Sequence, residues 1–290
     1  MLNKLTTCEI VRAWTAKSLF SSIKTVITFK KSITEILLRD QWLLELRKNP
    51  DIFSDGWYTP PPHGVAVLIG TANKVSRTNY ISLRSKSLWP QSKYALNSTN
   101  SLMYVYASPV NRELGIIGDF GMSIYFGKNK RIKDHLKRCL AINKIVFEYI
   151  KIGMSFSEIY HFTINQAKKS GMVNNIVSKT DPAGVDVGHT IPASYENWSE
   201  EELHILKKRE WKTIKDMISK KRKFVSPKET LTCQPDMAMT LEPRLVSSDD
   251  PEMPLTSFHT IVTFDKSGKK RLLTNFDDIF GLVGMNYMMD

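Results

Sequence analysis

The sequence predicts one mixed α/β (α+β) domain in which antiparallel strands are flanked by helices, and three observations carry that expectation. β-rich segments cluster between residues 65 and 126, two helical segments follow one another between 131 and 171, and strand-like segments return after residue 237. At 290 residues with 42% hydrophobic and 10% aromatic content, the chain carries enough apolar side chain for a sizeable buried core. No internal repeat or low-complexity linker divides it, so residues 1–290 read as a single domain.

The elements follow in order. Residues 1–31 hold six Lys or Arg against one acid, Glu9, a balance also found in organellar transit peptides. The recurrence of Ile10, Trp14, Phe20, Ile23 and Ile27 at three- or four-residue steps predicts a first helix instead. Ser32 and Glu35 match a capping box that opens a helix carrying Ile33, Leu37, Leu43, Leu44 and Leu46, stopped near Asn49-Pro50. The proline-rich stretch SDGWYTPPPHG (54–64) reads as a stiff loop leading into a buried strand at 65–69. Ser101–Ala107 and Leu114–Tyr125 are expected to pair as antiparallel strands.

Ile132, Leu136, Leu140, Phe147 and Ile150 mark a helix ended by Gly153, and Ser155 with Glu158 caps the next one, which closes at Gly171. After the loop TDPAGVDVGHTIP (180–192), Ser199 and Glu202 open a charged helix with Leu203, Leu206, Ile214 and Ile218 on one side. Met237–Leu241, Phe258–Phe264 and Arg271–Thr274 are strand-like, with KSGKK (266–270) as a hairpin turn.

Composition narrows the function classes. Cys8, Cys139 and Cys233 are odd in number and widely separated, which argues against a disulfide framework or a zinc ribbon and suits a reducing cytoplasm. No apolar run approaches the roughly 18 residues of a spanning helix, so a cytoplasmic protein without a membrane span is expected. The formal net charge is +12, but it is interleaved with acids. Its densest run, KKRK (220–223), follows a helix and has no aromatic platform beyond Phe224, so nucleic acid is not the expected partner and the run reads as a solvated face.

Four residues beside strand-like segments could carry chemistry: Asp119 in GDFG, His189 in DVGHTIP, Glu242 in TLEPR and His259 in SFHTIV. One imidazole with two carboxylates is a sensible donor set for a divalent metal. Each residue also has an ordinary reading, as a turn residue, a surface ion pair or a loop hydrogen bond.

The order of these pieces resembles the pita-bread metallopeptidases, the superfamily of methionine aminopeptidase, prolidase and creatinase. The resemblance rests on Gly188-His189, on Leu241-Glu242-Pro243, on SFHTIVTFDKSGKKRLLT (257–274), on GDFGMSIYFGK (118–128) and on IKIGMSFSEI (150–159). It spans about residues 32–275, with 195–230 as an insertion. It implies a curved antiparallel sheet flanked by helices and a metal site in which Asp119, His189 and Glu242 hold ligand positions. Two further ligand positions of the family fall on Ser108 and Phe258, so one divalent ion (Mn, Fe, Co or Zn) is implied rather than two.

The family's substrate-side histidine has no counterpart near residues 77–83, where Arg77, Asn79, Tyr80 and Arg84 offer anion-binding groups instead. The expected function is metal-dependent cleavage of a peptide or small amide C–N bond, with His189 and His259 as catalytic candidates. The alternatives are a catalytically silent binding domain, or metal-independent creatinase-like chemistry with His189 as proton carrier. The insertion is expected to form a lid or a homodimer contact, or to be pinned by Trp198 and Trp211.

Overall fold

The computed structural model describes residues 3–29, 32–71, 77, 78, 82–175, 181 and 184–289. A 26-residue helix, α1 (Lys4–Phe29), opens the chain. It buries Leu5, Cys8, Val11, Leu19, Ile23 and Val26 and leaves Ile10 and Ile27 exposed, so its core stripe is rotated from the one read in the sequence. α2 (Glu35–Leu46) is capped by Thr34, whose hydroxyl accepts from Leu37 N–H. The expected Ser32–Glu35 capping box does not form there.

Glu35 is instead fully buried and accepts from Ile69 N–H (2.7 Å), from Gln91 N–H (2.9 Å) and from the Arg77 guanidinium at 2.9 and 2.7 Å. This pair pins α2 against the first sheet and commits Arg77 to the fold, correcting the expectation that it binds an anion. Arg84 lies over the Tyr58 ring at 5.0 Å. Asn79 and Tyr80 lie outside the described residues.

β1 (Val65–Thr71), β2 (Asn100–Ala107) and β3 (Phe120–Gly127) form an antiparallel sheet in the order β1-β2-β3. β3 starts six residues later than its apolar run suggests. Asn111 Oδ1 accepts from the N–H groups of Glu113 and Leu114, and Gly115 adopts φ +64, so 111–115 is a turn.

α3 (Lys130–Tyr149) and α4 (Phe156–Lys169) follow, the latter opened by the predicted Ser155–Glu158 capping box. Then come β4 (Met172–Asn174), α5 (Glu200–Lys208) with its Ser199–Glu202 capping box, α6 (Trp211–Lys221), β5 (Met237–Leu241), β6 (Arg244–Ser247), β7 (Thr256–Ser257), β8 (Thr260–Phe264), β9 (Lys270–Leu273) and α7 (Asp277–Val283). Two more antiparallel sheets result, β4-β6-β7 and β5-β8-β9. The predicted strand 258–264 breaks at Phe258-His259, where Phe258 bridges Met122 and His259 N–H donates to Gly121 O at 2.8 Å. That break joins the first sheet to the third and sets His259 at the seam.

The main core lies between this strand surface and the helices, with Trp42, Phe120, Phe258, Phe276 and Phe280 among its fully buried rings. α5 and α6 are not a free lid. Leu206, Ile214, Met217 and Ile218 pack in a second core with Ile116, Ile117 and Trp198, and Trp198 Nε1–H donates to Leu114 O at 2.7 Å.

α3 also buries His135, whose Nε2–H donates to Pro254 O at 2.9 Å while Nδ1 has no partner. Burial pushes its pKa down to about 4 from 6.5. Because the unfolded chain takes up this proton first, the contribution is complete above about pH 6.5 and is lost as pH falls toward 4, on the order of 3 kcal/mol in all. His135→Gln is expected to reduce the loss of stability between pH 7 and 4.5 in urea unfolding; an unchanged pH dependence would count against this assignment.

Candidate functional site

Four chain segments bring Asp119, His189, Glu242 and His259 together. Asp119 immediately precedes β3, Glu242 follows β5, and His259 sits at the seam between β7 and β8. His189 lies in a short extended segment held on both sides. On one side it bridges Phe224, with Val225 N–H donating to Gly188 O (2.8 Å); on the other, Thr240 N–H donates to His189 O (2.7 Å). Gly188 is required by this close pairing, since a Cβ there would stand 2.0 Å from Thr240 O. Glu242 N–H donates to Val187 O at 2.9 Å, which places its carboxylate on the same side.

The imidazole of His189 has a fixed direction. Its Nδ1–H donates to Thr190 O at 2.8 Å, and Nε2 therefore faces Asp119 Oδ2 at 3.3 Å and Glu242 Oε1 at 3.7 Å. Asp119 Oδ1 accepts from Trp57 Nε1–H at 2.8 Å, whereas its Oδ2 has no hydrogen-bond partner. His259 Nδ1 is 2.8 Å from Glu242 Oε2, off the hydrogen-bond axis, and its Nε2 is 2.9 Å from Tyr104 OH. A carboxylate only accepts, so the proton of His259 belongs on Nδ1 and Tyr104 donates to Nε2.

These contacts oppose the effect of burial. Burial alone would lower the His189 pKa, but Glu242 and Asp119 outweigh it and raise the net value. Burial would raise Glu242, yet His259, His189 and Arg222 bring it down to about 2. Asp186, buried three residues before His189, is pushed up to about 7 by burial and by the charge of Glu242.

Sequence reasoning named all four central residues but missed those around them. Trp57 comes from the stretch read only as a stiff loop. Arg222 comes from the KKRK run read as a solvated face, yet it is 7% exposed, with its guanidinium 4.2 Å from the Trp57 ring centre and 4.9 Å from that of Phe224. Arg12, from α1, lies behind the site, where its guanidinium donates to the main-chain oxygens of Asp119 (2.5 Å), His259 (2.6 Å) and Thr274 (2.7 Å). No local motif signals it, because its partners are more than a hundred residues away.

Ser108 and Phe258, where the resemblance implies two altered ligand positions, are closed in packing. Continuing the β2–β3 register beyond Ala107 and Phe120 sets Ser108 opposite Asp119. Ser108 Oγ accepts from Tyr58 N–H (3.1 Å) and donates to Gly64 O (3.3 Å), and it packs so tightly that a Cβ on Gly56 or Gly64 would fall 2.4 or 2.8 Å from it. Phe258 is 1% exposed between Phe276 and Phe280, with ring centres 5.7 and 6.3 Å away. Neither place can supply a carboxylate for a second ion.

Among the described residues no group of three or more His, Cys, Asp and Glu side chains forms a ready-made metal centre. The donor chemistry of Asp119 Oδ2, His189 Nε2 and Glu242 Oε1 nonetheless suits a single ion: a carboxylate oxygen whose polar neighbour is the imidazole itself, an imidazole nitrogen aimed by its other nitrogen, and a second carboxylate.

Arg12 is fully buried, and burial lowers its pKa to about 9, which leaves it cationic at neutral pH. Arg12→Met would strand three buried carbonyls. It is expected to destabilise the chain by about 3 kcal/mol or more in urea unfolding; a loss below about 1 kcal/mol would contradict its role as the anchor of the seam.

No family profile and no curated protein sequence matches the chain. Its structure is similar to that of the X-Pro aminopeptidase of Thermotoga maritima, with a TM-score of 0.60 and 10% identity over 93% of this chain and 60% of that one. The prolidase of Pyrococcus furiosus gives 0.56 and 12% identity over 91% and 62%. The methionine aminopeptidase of T. maritima gives 0.57 and 11% identity over 92% and 96%. The chain thus spans about 60% of the length of the first two and nearly all of the third. No helix among the described residues is long and apolar enough to cross a membrane. With its antiparallel sheets, flanking helices and converging Asp119, His189 and Glu242, the chain has the pita-bread fold of prolidase, X-Pro aminopeptidase and methionine aminopeptidase.

Proposed function

We propose that the chain is a divergent pita-bread hydrolase that takes one divalent ion, Mn, Fe, Co or Zn, on Asp119, His189 and Glu242 and cleaves a peptide or small amide C–N bond. The observation that carries this reading is the aim of His189 Nε2 at Asp119 Oδ2, 3.3 Å away, and at Glu242 Oε1, 3.7 Å away. Similarity in fold to an X-Pro aminopeptidase, a prolidase and a methionine aminopeptidase supports it. When bound, such an ion would polarise a carbonyl and acidify a water.

The side chains divide the remaining work. Thr190 O holds His189 in the tautomer that frees Nε2, and Trp57 Nε1–H fixes the Asp119 carboxylate. His259 carries a proton at Nδ1 beside Glu242 and is steadied at Nε2 by Tyr104, which suits it to protonate a leaving amine. Asp119, His189 and His259 are each at most 6% exposed, so they act in a setting where water is scarce and charge interactions are strong.

A second reading is a metal-free cleft, either a silent binding domain or one with creatinase-like chemistry. It is favoured by a specific observation: His259, His189 and Arg222 already pull Glu242 down to about 2, so its carboxylate has partners within the chain. In that case His189 would hold a proton where the first reading has an ion.

Metal analysis after re-addition of Mn, Fe, Co and Zn separates the two. The proposal expects one equivalent per chain, lost in Asp119→Ala and Glu242→Gln, and peptide-bond hydrolysis that falls about a hundredfold in His259→Asn. Two equivalents would overturn the reading of Ser108 and Phe258; none would favour the metal-free cleft.

A further inference from the structure

The basic run that closes α6 is divided in its duties. Lys221 is used internally, 2.8 Å from Glu196 and 2.9 Å from Glu202. Arg222 is more than nine-tenths buried, yet its Nε and Nη2 have no hydrogen-bond partner. Asp119, Glu242 and Asp186 offset its charge, but its two unused donors cost stability and leave room for an acceptor that arrives from outside. Arg222 also forms part of the wall of an open groove of about 730 Å³, together with the exposed Lys220, Lys223 and Lys228. Asp181 and Glu229 are the acids on that wall, so cations outnumber them.

The groove adjoins the site. Lys223 O accepts from Thr190 N–H at 2.8 Å and Phe224 bridges His189, so the segment that lines the groove is the one that supports the imidazole. We infer that this groove is an oxyanion site for a small phosphorylated ligand, with Arg222 as its fork-shaped donor and the three lysines as its charge. A single carboxylate would need one cation; a group bearing two or more negative charges matches four. Only the further claim that the rest of the ligand reaches His189 rests on the proposed hydrolase.

The test uses the full chain in EDTA, with inorganic phosphate, pyrophosphate, acetate and a short single-stranded RNA as probes in calorimetric titration. Pyrophosphate and phosphate are expected to bind, acetate far more weakly. Arg222→Met should lower pyrophosphate affinity by about tenfold or more, and Arg222→Lys should lose most of the same affinity because it lacks the fork. The triple variant Lys220→Gln, Lys223→Gln, Lys228→Gln, which alters exposed side chains, should bind more weakly with an unchanged melting temperature; it decides the matter if the Arg222 variants do not fold.

Asp119→Ala, which removes the ion ligand, should keep pyrophosphate binding, so failure of the metal reading and failure of the groove are distinguishable. Wild-type chain that ignores pyrophosphate, folded Arg222 variants that bind it equally well, or acetate binding as tightly as phosphate would overturn the inference. RNA that binds more tightly than pyrophosphate would assign the groove to nucleic acid and overturn the small-ligand claim.

Discussion

The site depends on one buried cation. Arg12 reaches from α1 to the main-chain oxygens of Asp119, His259 and Thr274, and so joins three strand ends that are distant in sequence. Its guanidinium lies 5.1 Å from the Phe120 ring centre and 5.6 Å from that of Phe276, which replaces hydration with aromatic faces. Carbonyl dipoles take up its Nη donors without a salt bridge, while its Nε has no hydrogen-bond partner, and the Asp119 carboxylate stays directed toward His189 with its own backbone held from behind. Fixing the backbone of a functional residue from outside the site is an effective way to give its side chain one direction.

The charge pattern of the cleft follows from what surrounds it. A compact Ser108 between Gly56 and Gly64, and Phe258 in a cluster of phenylalanines, put packing at two of the five ligand positions that the family resemblance implies. Those replacements make the seam between the first and third sheets apolar and tight. The neighbouring His259, His189 and Arg222 oppose the effect of burial on Glu242, which explains how it stays ionised.

Much of this was legible in the sequence where the signal is local. The capping boxes at Ser155–Glu158 and Ser199–Glu202 form as expected, because a cap is decided within four residues. The segments carrying Asp119, His189, Glu242 and His259 were recognisable from their flanking residues, and they converge in space. Glu35 was misread as a cap because its partners, Arg77 and Ile69, lie more than thirty residues away. Arg222 was misread for a similar reason: a run of four basic residues carries no sign that one of them turns inward onto Trp57. The start of β3 was displaced by Asn111 and Gly115, whose turn overrides an apolar run.

One ion on Asp119, His189 and Glu242, with no carboxylate at Ser108 or Phe258 for a second, is the proposed state. Electron paramagnetic resonance of the chain loaded with Mn(II) addresses it directly, since two manganese ions sharing bridging carboxylates couple magnetically and one ion alone does not. The six-line spectrum of an isolated ion is expected, and its loss in Asp119→Ala. A spectrum of coupled ions in the wild-type chain would contradict it, and so would the absence of any bound manganese signal together with no uptake of iron, cobalt or zinc.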